Sequence, residues 1–404
     1  MSGTSWADAR TLSWRTGNQT ASTQVRVPLE AAFGRISAAP VSALVSLPTA
    51  SVSAMDGWAV AGDPPWLVGE RVGMGSAPAR EPLAPSTARP ITTGAPVPFG
   101  TVGVLRSEHG DIEPDNDGRA WLRRGAGAGP ADPVENAHIR QRGEELDAGT
   151  VVIRSGVILT PARIALAAAS GHDSVLVRAR PRVSILVTGD ELLSSGVPPA
   201  GSVRDALGPV LPELVRAAGA DVVDRRAVAD TLAGTAAAFD AAEGDLLVTT
   251  GGSSRGSTDF VRRVLLDSGG IVFDGVRMRP GHPVLLGRTR AGTLVLALPG
   301  NPLAAVVCFV SFGIPVIRGM LGLDDEAASF AGVDDLPRDV TDAVTRGSTV
   351  VVPFAREHGI PVVSGSRGPA MLKGLADADG LFVVEPADPG YRVRTLDLPW
   401  RAAG

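Results

Sequence analysis

The apolar positions of this chain follow two different periods, and the change of period marks its organisation. Between residues 181 and 322, short continuous apolar runs alternate with stretches of helical spacing. Val183-Ser-Ile-Leu-Val187, Asp221-Val-Val-Asp224, Leu246-Leu-Val248, Ile271 to Phe273, Val284 to Leu286 and Leu294 to Leu298 read as strands. Leu211 to Ala218, Thr231 to Ala242 and the pattern from Thr258 through Leu266 read as helices. Alternation of this kind predicts a parallel sheet covered by helices on both faces. Ligands in such sheets sit at the carboxyl ends of the strands. The turns after Val187, Thr250 and Leu298 therefore belong to one candidate site. Leu303 to Ile317 carries no charge, but it is shorter than a membrane span and contains Pro315, so a buried helix is expected.

The flanking regions read differently. Residues 1–26 are polar with little period and predict a frayed or partly helical start. Leu29 to Ile36 predicts a short helix, and Val41 to Pro48 a linker. From about 49 to 138 the chain is rich in Gly and Pro, with short alternations such as Gly57-Trp-Ala-Val60 and Val102-Gly-Val-Leu105, as in a small β domain. Pro161 to Gly171 has helical spacing, with Pro161 suited to the first turn, Ile164, Leu166 and Ala167 inside, and Gly171 suited to the stop. After the acidic Asp324-Asp-Glu326, β-like segments around Val350 to Val352 and Leu381 to Val384 predict a small all-β domain. Pro353, Pro361, Pro386 and Pro389 are expected between or just after those segments.

Composition narrows the function classes. At 404 residues the chain is too long for one core, and two to four domains are expected. It is 44% hydrophobic and 20% charged, as a globular protein is, and its 49 Gly and 32 Pro imply many turns. The formal net charge of −5 gives no reason to expect nucleic acid or a membrane as partner, so any anion must be held by local charge. Cys308 is the single cysteine, which excludes an internal disulfide and a Cys cluster; in its apolar run it reads as an inert core thiol. The first 25 residues lack an apolar signal core, and the cytoplasm is the default location.

The chemistry concentrates in a few turns. The segment Asp245-Leu-Leu-Val-Thr-Thr-Gly-Gly-Ser-Ser-Arg-Gly-Ser-Thr-Asp259 runs from a strand through Gly251 and Gly252 into a helix start. Unpaired backbone N–H groups at such a point favour a phosphate or another oxyanion. Arg255 adds positive charge there, and Asp259 a carboxylate that could hold a metal against the anion. In Pro299-Gly-Asn-Pro302, Asn301 suits an N-cap and Pro302 a first helical turn, which brings a second helix start to the same edge. Met278-Arg-Pro-Gly-His-Pro283 places Arg279 and His282 on one tight turn. Thr188-Gly-Asp-Glu191 gives two carboxylates after a strand. Each motif alone also has an ordinary reading as a βα turn, a surface turn or an acidic helix start.

Taken in order, the motifs resemble the molybdopterin molybdenumtransferase family, the bacterial MoeA proteins and the gephyrin E-domain. The matching stretches are Ser53-Ala-Met-Asp-Gly-Trp-Ala-Val60, Thr93-Gly-Ala-Pro-Val-Pro98 and Ile139-Arg-Gln-Arg-Gly-Glu-Glu145, then Val187-Thr-Gly-Asp-Glu-Leu192 and Thr250-Gly-Gly-Ser-Ser-Arg-Gly256 with Asp259. Met278-Arg-Pro-Gly-His-Pro283 and Leu298-Pro-Gly-Asn-Pro302 complete the set, across roughly residues 28–320. The resemblance implies a multidomain α/β fold. Its helical and linker domain would span residues 1–47 and 147–180, its inserted β domain 48–146, its α/β domain 181–323 and its C-terminal β domain 324–404. It implies insertion of molybdate into adenylylated molybdopterin with Mg²⁺-dependent release of AMP. It also implies a homodimer whose site is shared between subunits, and a transient contact with the adenylylating enzyme.

On this resemblance, Asp56, Glu145, Glu191, Asp230 and Asp259 are the candidate metal ligands and catalytic carboxylates, since Mg²⁺ takes hard oxygen donors. Thr93, Gly94, Thr188, Gly189, Asp190, Gly251, Gly252, Ser253, Ser254 and Arg255 are expected at the substrate, as are Arg279, Pro280, Gly281, His282, Pro299, Gly300, Asn301 and Pro302. The chain departs from the family at several of these places. Ser51-Val52 replaces Asp-Asn, and Glu144-Glu145 replaces a Glu-Asp pair. Arg279 and His282 replace two lysines, which changes geometry at one position and makes charge depend on pH at the other. Asp205-Ala206-Leu207 loses two polar groups, and Leu303-Ala304 loses a hydroxyl. Two other readings stay open on the sequence: a non-catalytic scaffold of the same fold, and another phosphate-anhydride enzyme on the same α/β domain.

Overall fold

Strands Leu246–Thr250 and Leu294–Leu298 are buried at every position, the mark of strands covered on both faces, and they form the centre of a six-stranded sheet. The order is Asp221–Val228, Arg182–Thr188, Leu246–Thr250, Leu294–Leu298, Leu285–Thr289, Gly269–Asp274. This computed structural model describes residues 3–76, 81–252, 260–325, 329–330 and 336–400. Its chain folds into two compact units, one of residues up to Gln24 together with those from Arg178 onward, the other Val25–Val177.

In the first unit the first four strands are parallel, as expected. The last two are antiparallel, which corrects the expectation of an all-parallel sheet. The reason is local. Leu285–Thr289 and Leu294–Leu298 are joined by a tight turn in which Thr289 and Thr293 pair and Gly292 has φ +96°. A parallel pair would need a long crossover there. Helices Leu232–Asp240, capped by Thr231, and Phe260–Ser268 close one side of the sheet over Leu186, Leu247, Leu285 and Val295. Pro302–Met320 is the one described helix long and apolar enough to cross a membrane, and it is almost wholly buried inside the protein.

The polar start of the chain is better ordered than its pattern implies. Trp6–Asn18 is an α-helix whose N-cap Ser5 accepts from the Asp8 N–H. It lies against Ile314–Met320 so closely that a β-carbon on Gly17 would stand 2.0 Å from the Val316 carbonyl oxygen. Its buried Arg10 donates to the carbonyls of Val310 and Ser311, within the π-helical turn Phe309–Gly313, and bonds Asp325 at 2.8 and 2.9 Å.

The C-terminal part is built on antiparallel strands Thr349–Glu357, Ile360–Val363, Gly380–Pro386 and Tyr391–Asp397. It also holds the helix Arg338–Thr345, whose Val340, Ala343 and Val344 cover Val350, Val352, Phe354 and Phe382. An all-β expectation omitted it, although its apolar positions keep helical spacing. Pro353 and Pro361 lie inside strands, not between them. Met278–Arg279 joins the edge of this sheet, pairing with Thr349 and Val350.

The second unit carries a six-stranded sheet ordered Gly103–Arg106, Gly57–Ala61, Thr87–Ile91, Trp66–Val68, Ala120–Arg124, Gly110–Pro114. A separate core of Ala32, Val41, Ile153, Leu159, Ala167 and Val175 includes helix Pro161–Ala169, whose N-cap Thr160 accepts from the Arg163 N–H. The short helix expected from Leu29 to Ile36 shrinks to one 3₁₀ turn, Leu29–Ala31.

Candidate active site

Three strand ends and their glycine turns open one cleft of about 500 Å³. Thr188 ends the first strand and Gly189 follows it, Thr250 ends the second with Gly251 and Gly252 after it, and Gly300, Asn301 and Pro302 come after the third. The turns need glycine. Gly251 and Gly252 have φ +81° and +64°, and a β-carbon on Gly251 would meet the Thr188 hydroxyl at 2.9 Å. The Thr188 hydroxyl donates to the Thr250 carbonyl at 2.7 Å, and the Gly251 N–H donates to the Leu298 carbonyl at 3.0 Å, so the three strand ends are tied together. Glu191 and Asp230 line the same cleft. Asp190 lines the adjoining cleft of about 320 Å³ instead, and its carboxylate accepts from the Asp230 N–H at 3.3 Å. It steadies the loop that carries Asp230. The Thr250 hydroxyl is buried and has no hydrogen-bond partner among the described residues, so it retains its capacity for a ligand. Thr250 carries no role signal of its own in the sequence, because a threonine ending an apolar strand reads as β propensity alone.

A second cleft of about 540 Å³ adjoins the first, and Asn301 lines both. One wall is the turn Arg279, Pro280, Gly281 and His282, with Pro299 beside it. Gly281 has φ +106° and rests on Cys308, whose thiol is pushed above its ordinary range by burial. His282 Nδ1 lies 2.7 Å from the Val276 carbonyl oxygen, so Nδ1 carries a proton. The Nε2 atom then donates only when the ring is charged. The opposite wall comes from the C-terminal part and includes Asp339, Arg346 and Arg367. Sequence reading assigned nothing to these three, which lie on a helix and loops without a recognisable motif.

The remaining expected residues fall into two groups. Asp56, Thr93, Gly94 and Glu145 belong to the second unit. There the Asp56 carboxylate accepts from the Thr93 N–H at 2.6 Å and the Thr93 hydroxyl at 3.0 Å. Those two bonds, helped by Arg71, hold Asp56 below the usual carboxylate range. Gly94 turns with φ +81°, and Glu145 is exposed, its N–H bonded to the Leu47 carbonyl at 3.0 Å. Ser253, Ser254, Arg255 and Asp259 lie outside the described residues. Among the described residues no three His, Cys, Asp or Glu side chains gather as a metal cage. Glu191, Asp205 and Asp230 are the carboxylates of one cleft, Asp205 accepting from the Leu207 and Gly208 N–H groups, and Mg²⁺ is commonly held by one or two carboxylates with water filling the rest.

Residues 4–171 match the MoeA N-terminal region (domain I and II), and residues 184–319 match a probable molybdopterin binding domain. Molybdopterin molybdenumtransferase 2 of Mycobacterium tuberculosis is 37% identical over 320 residues, covering 74% of this chain and 76% of that protein. The chain belongs to the MoeA family. The Haemophilus influenzae molybdopterin molybdenumtransferase is 32% identical over 301 residues, 73% of this chain and 72% of that one. A crystal structure of a molybdopterin biosynthesis MoeA protein from Pyrococcus horikoshii shares the fold, with a TM-score of 0.72 at 22% identity over 98% of this chain and all of that one. The cleft ends of the α/β sheet lie within the stretch matched as the molybdopterin binding domain, whereas Asp339, Arg346 and Arg367 lie beyond both family regions.

Proposed function

We propose that this MoeA chain completes the molybdenum cofactor by inserting molybdate into adenylylated molybdopterin, with Mg²⁺ and release of AMP. The observation that carries the reading is the junction of two unlike clefts at Asn301, one with the carboxylates Glu191 and Asp230 and one with Arg279 and His282. A pyrophosphate with its cation suits the first, and a dianionic oxide suits the second. Glycine turns and the Thr250 hydroxyl offer donors to phosphate. Glu191 and Asp230 would hold Mg²⁺, whose bound form polarises the anhydride and stabilises the leaving phosphate. Arg279 and protonated His282 neutralise the oxide, and the ring can return a proton to an oxygen displaced by sulfur.

The reading extends to a cytoplasmic homodimer in which Asp56 and Glu145 of one copy complete the carboxylate cleft of the other. What supports it is the exposure of both carboxylates and the ionised state that Thr93 enforces on Asp56. The test is AMP release from adenylylated molybdopterin with molybdate and Mg²⁺. Glu191→Gln and Asp230→Asn should each lower the rate at least tenfold at unchanged folding. Wild-type protein without activity under these conditions would sink the assignment. Light scattering at micromolar concentration tests the dimer, and a monomer that is fully active would remove the shared site.

A further inference from the structure

Gly275, Val276 and Arg277 lead from the last strand of the α/β sheet into the turn that carries Arg279 and His282. Lying between two sheets, these three residues have no ladder of their own, and each main-chain polar group must find a separate partner. All of them do. The Gly275 N–H donates to the Val284 carbonyl at 3.0 Å, the Val276 N–H to the His282 carbonyl at 2.9 Å, and the Thr349 N–H to the Arg277 carbonyl at 2.9 Å. The Val276 carbonyl accepts from the Met278 N–H at 2.8 Å and lies 2.7 Å from His282 Nδ1. The last two groups are met by one residue from far earlier in the chain. The Thr4 N–H donates to the Gly275 carbonyl at 3.3 Å, and the Thr4 carbonyl accepts from the Arg277 N–H at 2.9 Å. Water does not readily replace such a partner, because Val276 and Met278 are buried on either side of Arg277.

The stem bears on the His282 ring as well. Gly275 has φ +80°, and a β-carbon there would lie 3.7 Å from Cε1 and 3.9 Å from Nε2 of that ring, so the imidazole rests against the main chain that Thr4 holds. Thr4 is itself fixed. It precedes Ser5, whose hydroxyl donates to the Asp8 carboxylate at 2.6 Å, and Trp6 beyond it is buried. The helix Trp6–Asn18 is anchored in turn by Arg10 on Asp325 and by Gly17 on Val316.

We propose that Thr4 is a positioning residue for this turn. Its two main-chain bonds fix Gly275 and Arg277, and through them the places of the Arg279 and His282 side chains. The consequence for catalysis rests on the proposed use of molybdate as substrate. The hold is made by main-chain atoms, so it depends on the backbone of residue 4 and not on its side chain. A segment laid down only to bury Trp6 would show the same contacts, and the experiment separates the two.

Thr4→Pro removes the N–H, whereas Thr4→Val keeps both main-chain groups. Hydrogen exchange of the full chain is read on peptides spanning residues 275–284, with the unfolding midpoint of each variant as a folding control. Exchange there should quicken roughly two- to tenfold in Thr4→Pro, the span that one net hydrogen bond is worth, and stay at the wild-type rate in Thr4→Val. In AMP release, the KM for molybdate should rise by a similar factor in Thr4→Pro, while the KM for adenylylated molybdopterin stays unchanged. Wild-type protein supplies a test that needs no variant: in small additions of urea, the Arg277 amide should lose protection together with the amides of Trp6–Asn18. If Arg277 stays protected after that helix has opened, or if Thr4→Pro matches wild type in exchange and in KM, the proposal falls and the segment only buries Trp6. If wild-type protein releases no AMP with molybdate, the functional reading falls, while the exchange data still decide whether Thr4 holds the turn.

Discussion

Gly281 and Cys308 are in such close contact that a β-carbon on Gly281 would lie 2.3 Å from the Cys308 sulfur. The turn carrying Arg279 and His282 is thus seated on the buried Pro302–Cys308 helix, and the seat requires both a small residue and φ +106° at Gly281. Gly281→Ala should lower stability by roughly 2 kcal/mol through overpacking and strain, and should displace Arg279 and His282 from the cleft. Adding Cys308→Ala removes the clash but not the strain. The double variant should recover part of the stability and little of the molybdate affinity. Urea titration and calorimetry on the two variants check this. Full stability of Gly281→Ala would show that the turn is free to move.

The Trp6–Asn18 helix predicts a second outcome. A β-carbon on Gly319 would stand 2.3 Å from the Trp14 carbonyl oxygen, a backbone atom that cannot turn aside. Gly319→Ala should therefore cost about 2 to 3 kcal/mol, as overpacking of a tight contact does. Chemical denaturation gives the value. A cost below about 0.5 kcal/mol, the range of ordinary surface changes, would mean that the two helices separate easily.

These two contacts mark where the sequence could be read and where it could not. Leu246–Thr250 and Leu294–Leu298 were legible because burial on both faces leaves a continuous apolar run ending in glycine. The cleft at their ends followed from topology alone. The first helix was legible only as a partly helical start, because its order is fixed by Arg10 bonding Asp325 and two carbonyls some three hundred positions away, and by glycines whose partner lies equally far. Pro353 was misplaced because proline argues against a strand, yet here its carbonyl still accepts from the Ser364 N–H at 2.9 Å. Arg346 and Arg367 carry no local signal, since an arginine in a loop is ordinary until the opposite wall of a cleft is known.

A third prediction concerns Asp115 in the turn between Gly110–Pro114 and Ala120–Arg124. Its carboxylate accepts from the Trp121 indole, from the Arg119 and Asp117 N–H groups and from the Arg119 guanidinium. Trp121 first, then Arg119, hold it down to about 2. The sign follows: a carboxyl with a lowered folded value stabilises the fold above its unfolded value and loses that contribution as pH falls through the folded one. Carbon NMR of the Asp115 carboxyl should show a midpoint near 2, and Trp121→Phe should move it upward. An unshifted midpoint in the variant would assign the effect to Arg119.

His282 gives the last prediction. Its Nδ1 proton is committed to the Val276 carbonyl at 2.7 Å, so Nε2 presents a lone pair to an anion unless the ring takes up a second proton. A neutral ring at this position offers an oxide no donor, while a charged one offers both a donor and a charge. Molybdate should still bind the wild type with this ring neutral, because Arg279 stays charged. His282→Lys places a lasting charge here and should tighten molybdate binding several-fold. The substitution also breaks the bond to Val276, so its unfolding midpoint must be measured alongside. His282→Gln supplies the control, keeping an amide donor without charge: it should bind more weakly than His282→Lys. If wild type, His282→Lys and His282→Gln bind molybdate equally, the His282 ring does not face the oxyanion, and the charge of the cleft rests on its arginines.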